Sequence, residues 1–427
     1  MTTLIFNHDK NLLPNETSDI IPVLLYGLEA DNRIGHPIIE NIKRLGIKVS
    51  EISMDFLSIA LAVTAADTFV QRETAEDAWS RKLTIKLPLA NPSVWLEVKQ
   101  DLERALHFLS GDMWNFEFLP NGFSSPEPYD EQSRFKVLSL SELDCVCLFS
   151  GGLDSTIGAI DLLQQKKKPL LISHGYKGDA KLQHEIFDKL KGITNHFLLN
   201  ADPHCKGSTD ISMRTRSFNF LAFAIIGADV LKSITEKESI DIYIPENGFI
   251  SINTPLTRRR IGSLSTRTTH PYFINNIQVI FNKLNMPFKL INPYQFKTKG
   301  EMVDECLDKR LLKKLVNTTV SCSHWKRKNQ QCGICVPCLI RRSSLLRGKI
   351  NEKKDYIFND ITKINDNTKQ DDLIAILIAN KRKDSENITK WILQSGSLPS
   401  EYIKDFERVF ISGLSEVEVF LQSEGVI

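Results

Sequence analysis

The sequence has almost no excess of either charge: 54 lysines and arginines face 52 aspartates and glutamates over 427 residues, a formal net charge of +2. That balance excludes a chain that binds nucleic acid over its whole surface, so any basic site must be local. The first residues, MTTLIFNHDK, lack a basic region followed by an apolar core, and no secretory signal is expected. The longest apolar patches, near Leu57 to Val63 and Phe218 to Leu231, read as too short or too interrupted to span a bilayer. No membrane partner and a cytoplasmic location follow as expectations. The eight cysteines do not spread out as a disulfide framework, which agrees with a reducing compartment. A Walker A loop is absent, and residues 1 to about 135 carry no chemical motif. What remains is an ordinary globular composition, 42% hydrophobic and 25% charged, long enough for two or three domains.

The stretch that organises the rest is Cys145 to Gly158, CVCLFSGGLDSTIG. Cys145 to Phe149 is short and apolar enough for a strand buried on both faces, and Thr156 to Leu163 reads as a helix. Between them Gly151 and Gly152 let the backbone approach an anion, because no Cβ intervenes. The following helix offers its unpaired N-terminal amides and the positive end of its dipole to the same anion. Ser150 and Ser155 add hydroxyl donors, and Asp154 is placed to hold a metal ion or to orient the loop. A strand followed by Ser-Gly-Gly-x-Asp-Ser resembles the PP-loop of the ATP pyrophosphatases, which split ATP between its α and β phosphates and adenylate a substrate. A Gly-Gly turn capped by Ser and Asp is the plainer alternative.

Upstream, a largely apolar helix is expected from Met54 to Val70, and Leu83, Ile85 and Leu87 alternate with Lys82, Thr84 and Lys86 as on a half-buried strand. Trp95, Val98, Leu102, Leu106 and Leu109 recur at helical spacing, so residues 1–135 read as an α/β or α+β accessory domain. Arg72, Trp79 and Arg81 offer a recognition surface; a helix end with a packed tryptophan is the favoured reading. Residues 121–134 are polar and rich in Pro, Gly and Ser, a linker. Over 136–310, strands at 169–173, 196–200, 241–245 and 288–292 follow the first one and alternate with helices. This predicts an α/β fold with a doubly wound parallel five-stranded sheet, whose ligands sit beyond the carboxyl ends of the strands.

The segments after those strands should therefore converge on one crevice. They are His174 to Asp179, then Asp202-Pro203-His204, then Glu246-Asn247-Gly248. Arg216 stands at the mouth of an apolar helix running from about Thr215 to Ser233 and opposes its dipole unless an anion is present. It reads as a phosphate or carboxylate ligand, with a surface salt bridge as the alternative. Residues 254–271 contain Arg258, Arg259, Arg260, Arg267 and His270 without an acid, and are expected to fold over the crevice as a substrate-binding lid. Thr298-Lys299-Gly300-Glu301 fits a capping box, and Lys299 as first helical residue marks a second anion site.

Cys322, Cys332, Cys335 and Cys338 supply four thiolates, a closed tetrahedral shell suited to a structural Zn²⁺; an iron–sulfur cluster is the competing reading. They define a metal-binding segment over 311–350. Lys326, Arg327, Lys328, Arg341, Arg342, Arg347 and Lys349 fall in 321–350 with no acid, a basic face for a polyanion or an acidic partner. From 351 to 427 the chain reads as a charged helical appendix for docking.

In this order, the PP-loop, Arg216-Ser217, Thr298-Lys299-x-Glu301 and the four cysteines resemble the QueC family, the 7-cyano-7-deazaguanine synthases. The resemblance covers roughly residues 140–345. It implies a HUP-type domain that adenylates a 7-deazaguanine carboxylate and converts it to an amide, then a nitrile, with ATP, Mg²⁺ and Zn²⁺. Phe149, Ser150, Gly151, Gly152, Leu153, Asp154, Ser155, Thr156 and Arg216 would hold ATP, with Asp154, Ser155 and Lys299 serving the chemistry. Glu246, Asn247, Arg260, Arg267 and His270 would meet the substrate, and the four cysteines the zinc. The added N-terminal domain, lid and C-terminal helices are similar to the longer QueC-like component of Qat anti-phage defence systems, which implies a partner protein as amine acceptor in place of ammonia. Glu246-Asn247-Gly248 departs from the queuosine-pathway pattern. The alternatives are a tRNA-modifying PP-loop enzyme, with RNA the less favoured partner, and an inactive nucleotide-binding scaffold. Asp154→Ala is expected to abolish conversion of ATP to AMP and leave the fold intact.

Overall fold

The apolar runs pair into two sheets in a computed structural model that describes residues 2–130, 137–175, 178–210, 212–256, 267–325, 329–353, 355–364 and 371–427. The second sheet is the expected one: β6 (Cys145–Leu148), β7 (Pro169–His174), β8 (Asn195–Leu199), β9 (Ile240–Tyr243) and β10 (Phe288–Ile291), all parallel, in the order β8-β7-β6-β9-β10. Every residue of β6 is buried, which is why it reads as an unbroken apolar run. The order reverses between β6 and β9, so a crevice opens where their carboxyl ends diverge.

The N-terminal region is α/β with a sheet of its own. Its strands, β1 (Thr2–Asn7), β2 (Ile20–Leu25), β3 (Arg33–Ile34), β4 (Lys82–Pro88) and β5 (Met113–Leu119), lie parallel in the order β3-β2-β1-β4-β5. Numbered within each sheet, the two orders are the same, 3-2-1-4-5.

Two 19-residue helices, Glu51–Phe69 and Arg216–Ile234, join the sheets. Each is apolar all round because each is buried all round. Both are long and apolar enough by composition to cross a membrane, contrary to the expectation that these patches are too short, yet 94% and 78% of their apolar windows are buried inside the fold. Each helix caps the other. Asp229, near the end of the second, accepts from Ser50 N at 2.7 Å, and Asp67, near the end of the first, accepts from Thr215 N at 2.8 Å. Carboxylates at both N-termini satisfy orphan amides and the dipoles at once. Beyond β8, His204 and Arg33 exchange backbone bonds of 2.9 Å, so the segment holding Asp202 and His204 stitches the sheets together at the β3 edge instead of lining the crevice.

Asp67 also belongs to a buried quartet. Arg81 Nη2 lies 2.6 Å from Asp67 and 2.7 Å from Asp112, and Arg72 reaches the same two carboxylates at 3.1 and 2.8 Å. Two charges of each sign close the set, so Arg72 and Arg81, each 3% exposed, form no recognition surface. Trp79 packs beneath the Arg72 and Arg214 guanidiniums.

The cysteine segment and the C-terminal helices share a separate core, in which Cys335, Cys338, Leu339 and Ile340 pack with Trp391, Phe406, Val409 and Leu414. Helix Val336–Arg347 lies between helices Lys299–Glu305 and Ile403–Ser423, and so ties this core to the second sheet.

Candidate active site

Ser150 to Ser155 bend from β6 into helix Leu153–Gln164. Gly151 takes φ +77°, a left-handed conformation that favours glycine, and a Cβ there would stand 3.1 Å from Gln183. Gln183 Nε2 donates to the Ser150 carbonyl at 3.2 Å and fixes the bend from the β7 side. On the other side Val320 N donates to Gly151 O at 3.3 Å. No side chain caps the helix at Gly152, so the amides of its first turn face the bend without a protein carboxylate or hydroxyl. Ser150 Oγ and Ser155 Oγ lie 3.1 Å apart at its mouth.

The crevice between β6 and β9 brings together Asp154, Asn247, Glu246 and Lys299. Lys299 Nζ pairs with Asp154 Oδ1 at 2.8 Å, both side chains under 10% exposed. Asn247 donates to Asp154 Oδ2 from its backbone N at 3.1 Å and from Nδ2 at 2.7 Å, and Nδ2 also reaches Glu246 Oε1 at 3.2 Å. Burial works against ionising Asp154, but the Lys299 ammonium and these donors outweigh it and hold the carboxyl down at about 2. Glu246 goes the other way: burial first, then the adjacent Asp154 charge, push its carboxyl well above the usual range. Burial and the neighbouring charges thus push the two carboxyls of the pair apart, Asp154 down and Glu246 up.

The capping box forms as expected: Thr298 Oγ1 accepts from Glu301 N at 3.0 Å and Glu301 Oε2 accepts from Thr298 N at 2.8 Å. The anion at this helix start is the protein's own. Glu416 accepts from Gly300 N at 3.1 Å and from Thr298 Oγ1, and pairs with Arg347 at 2.5 Å. The second anion site is thus filled from the C-terminal helix, while Lys299 turns to Asp154.

Other expected contacts are corrected. Phe149 and Thr156 are fully buried; Phe149 N is bonded to Ile172 O, and Thr156 bonds back to Gly152 O through both N and Oγ1, so neither is free for a phosphate. Leu153 points into the core. Arg216 lies 3.5 Å from Asp179, as in the salt-bridge reading. His270 is a buried helix cap: Nδ1 accepts from Tyr272 N at 3.1 Å and Nε2 lies 3.3 Å from Ser395 Oγ, which leaves nothing for a substrate. Arg267 donates to Phe108 O at 2.9 Å, in the N-terminal domain and not over the crevice. Arg260, like Arg258 and Arg259, lies outside the described residues. The arginines of the basic face are paired, Arg341 with Glu352, Arg342 with Glu424 and Arg347 with Glu416, and Lys349 is left exposed. Lys326, Arg327 and Lys328 lie outside the described residues.

Beneath the bend, Ser173 Oγ donates to Phe149 O at 2.6 Å, so His196 Nε2 must donate to Ser173 at 2.7 Å. Burial, with His184 beside it, pushes His196 down to about 3, and burial, with Arg267 nearby, pushes His270 to about 3. Unfolded, both titrate near ~6.5. Acidification therefore protonates the unfolded chain first, and the stability each neutral imidazole contributes is present above ~6.5 and lost as pH falls toward about 3. Unfolding free energies from urea titrations should drop between pH 6.5 and 4, by up to about 1.4 kcal/mol per pH unit for each histidine. His270→Asn, which keeps a capping acceptor, should remove one proton from that slope; an unchanged slope refutes the assignment.

The four cysteine sulfurs lie within 4.8 Å of one another, all buried. Cys332 to Cys338 is 3.9 Å and Cys335 to Cys322 is 4.0 Å, close to the ~3.8 Å that a tetrahedron of ~2.3 Å metal–sulfur bonds sets. Backbone amides of His324, Cys332 and Cys335 donate to the Cys322 and Cys332 sulfurs at 3.2–3.3 Å, which orients these sulfurs and stabilises negative charge on them. The donor set fits a metal ion.

Sequence reasoning missed Gln183 and Glu416. The first carries a weak signal, lying on the helix after β7, which the crevice argument covers; the second carries none, being 116 residues from the amide it meets. No protein-family model matches the chain, and no curated protein matches it.

Proposed function

We propose that the chain is a QueC-like PP-loop enzyme that uses ATP to adenylate a carboxylate of the 7-deazaguanine type, releases pyrophosphate, and passes the acyl group to an amine. The carboxylate oxygen attacks the α phosphorus, the bond to the β phosphate breaks, and AMP leaves when the amine forms the amide; dehydration of a second activated amide would give the nitrile. A partner protein of an anti-phage complex is the proposed amine donor, with ammonia as the alternative.

The observation that carries this reading is the meeting of Asp154 and Lys299 at the strand-order reversal, beside an uncapped helix N-terminus. The amides of the first helical turn and the Ser150 hydroxyl suit a polyphosphate, while Ser155 Oγ, buried, donates to Gly152 O at 3.2 Å and braces the bend. Lys299, held by Asp154 at the mouth, is placed to neutralise departing pyrophosphate. Mg²⁺ does not fit Asp154 as arranged: Oδ1 is ion-paired with Lys299 at 2.8 Å and Oδ2 accepts from Asn247 twice. Asp154 thus serves as the residue that orients Lys299, and no step is assigned to Mg²⁺. In the cysteine cluster we place Zn²⁺, closed and structural. The ion pairs that hold Arg341, Arg342 and Arg347 weigh against RNA as substrate. Mixing the protein with ATP, a 7-deazaguanine carboxylate and an ammonium salt as amine source should give pyrophosphate and AMP in equal amounts; no pyrophosphate under any carboxylate would leave the inactive scaffold as the better account.

A further inference from the structure

Away from the crevice, where Arg267 meets the N-terminal domain, a cavity of about 510 Å³ is lined by Arg104, His107, Phe108, Arg267, Tyr272 and Ser397 among others. None of the PP-loop residues lines it. Its volume falls in the range of small-ligand sites. Three parts of the chain build it: the end of helix Lys99–Ser110, the start of helix Pro271–Lys283, and the turn at Gly396 and Ser397.

The charge here is unbalanced. Arg104 and Lys283 share one carboxylate, Asp101, at 3.3 and 2.6 Å. Arg267 has no acid partner among the described residues; Nη1 takes the Phe108 carbonyl, the guanidinium lies over the Phe108 ring at 4.4 Å, and Nε is buried without an acceptor. Burial alone pulls this guanidinium down to about 10, the mark of a cation lacking its counter-charge. The helix that begins at Pro271 adds the positive end of its dipole at Tyr272. His107 turns Nδ1 to the Asp112 carbonyl at 3.0 Å, which leaves Nε2 to accept a P–OH proton.

We propose that this cavity binds a phosphate group, free or carried on a nucleotide, between the Arg267 and Arg104 guanidiniums. Phosphate suits the site better than a carboxylate, because Arg104 and His107 approach from one helix and Arg267 from the segment before another, and a tetrahedral anion offers oxygens to all three. Binding would fasten the N-terminal domain to the helix after Arg267 and to the C-terminal segment.

Titration calorimetry of the full chain at fixed ionic strength, with inorganic phosphate and with AMP, tests this. Both should bind; at least tenfold tighter AMP at the site that Arg104→Gln weakens would identify a nucleotide as that site's ligand, and equal affinities there free phosphate. Arg267→Gln should weaken both by at least tenfold and Arg104→Gln by about threefold or more, while Asp154→Asn/Lys299→Met leaves phosphate affinity at this cavity unchanged. Arg104 is 56% exposed, so its variant folds regardless of how Arg267→Gln behaves. No phosphate binding at millimolar concentration, or an affinity that Arg104→Gln does not change, would overturn the proposal.

Discussion

The double variant Asp154→Asn/Lys299→Met is expected to unfold within about 1 kcal/mol of the parent and to release no measurable pyrophosphate, whereas each single variant should lose both stability and activity. The two side chains form a buried ion pair at 2.8 Å. Removing one partner leaves a buried charge uncompensated, a loss of about 3–5 kcal/mol, while replacing both by neutral groups of similar volume is close to neutral. This revises the expectation that Asp154→Ala leaves the fold intact: that change strands Lys299. Activity should not follow stability. A positioned cation at a developing phosphate charge is worth about 10²–10³ in rate, and the double variant has none. Urea denaturation and a coupled pyrophosphate assay on the four proteins give a thermodynamic and a kinetic cycle on the same pair. Pyrophosphate release within tenfold of the parent by the double variant would end the PP-loop assignment; equal stability of parent and Lys299→Met would show that the pair is not buried in solution. The folded-state carboxyl sits at about 2, against ~3.9 unfolded. Its contribution is thus present above ~3.9 and lost as pH falls through about 2, below the pH 6.5 to 4 range over which the histidine slope is read.

What could be read in the sequence is what lies close together along it. The strand, bend and helix from Cys145 to Gln164, the four strands that follow and the Thr298 capping box all come from local patterns, and each was placed to within a few residues. Most of the first sheet was not legible. β3 has two residues and β2 carries Pro22, so neither shows a clean period; β5 does alternate Trp114, Phe116 and Phe118 with Asn115 and Glu117, a strand signal that sequence reasoning missed. Pairing across the sequence was hidden for a different reason. The segment 321–350 reads as purely basic because its acids, Glu352, Glu416 and Glu424, lie outside it. Asp67 and Asp229 look like isolated acids in apolar helices until the helices are laid antiparallel. His270 and Arg267 have the composition of a binding loop, yet one caps a helix start and the other a helix end. Composition reports which charges are present, and only the fold reports which are already spent.

Cys335→Ser should cost the protein its proposed zinc and, with it, the order of the PP-loop, although no cysteine touches that loop's ligand side. The connection runs through three contacts. Cys335 is the N-cap of helix Val336–Arg347. That helix carries Arg347, which holds Glu416 over the start of the Lys299 helix, and Gly348 beyond it packs against Val303 of the same helix. Val320, two residues before Cys322, donates directly to Gly151. Binding of a structural zinc is worth about 10–16 kcal/mol, as much as or more than the ~5–15 kcal/mol by which a domain is stable. The cysteine core should therefore fold only with its metal. Metal analysis should find one zinc per parent chain and less than a tenth of that in Cys335→Ser. Amide exchange should lose protection over Val336–Arg347, Ile403–Ser423 and Lys299–Glu305, and pyrophosphate release should fall with it. Helices Glu51–Phe69 and Arg216–Ile234 cap one another and belong to the other core, so their amides should stay protected. Protection lost uniformly would mean a single cooperative unit; protection lost nowhere, with the metal gone, would mean that the cysteines pack well enough without it and that the link to Gly151 carries no load.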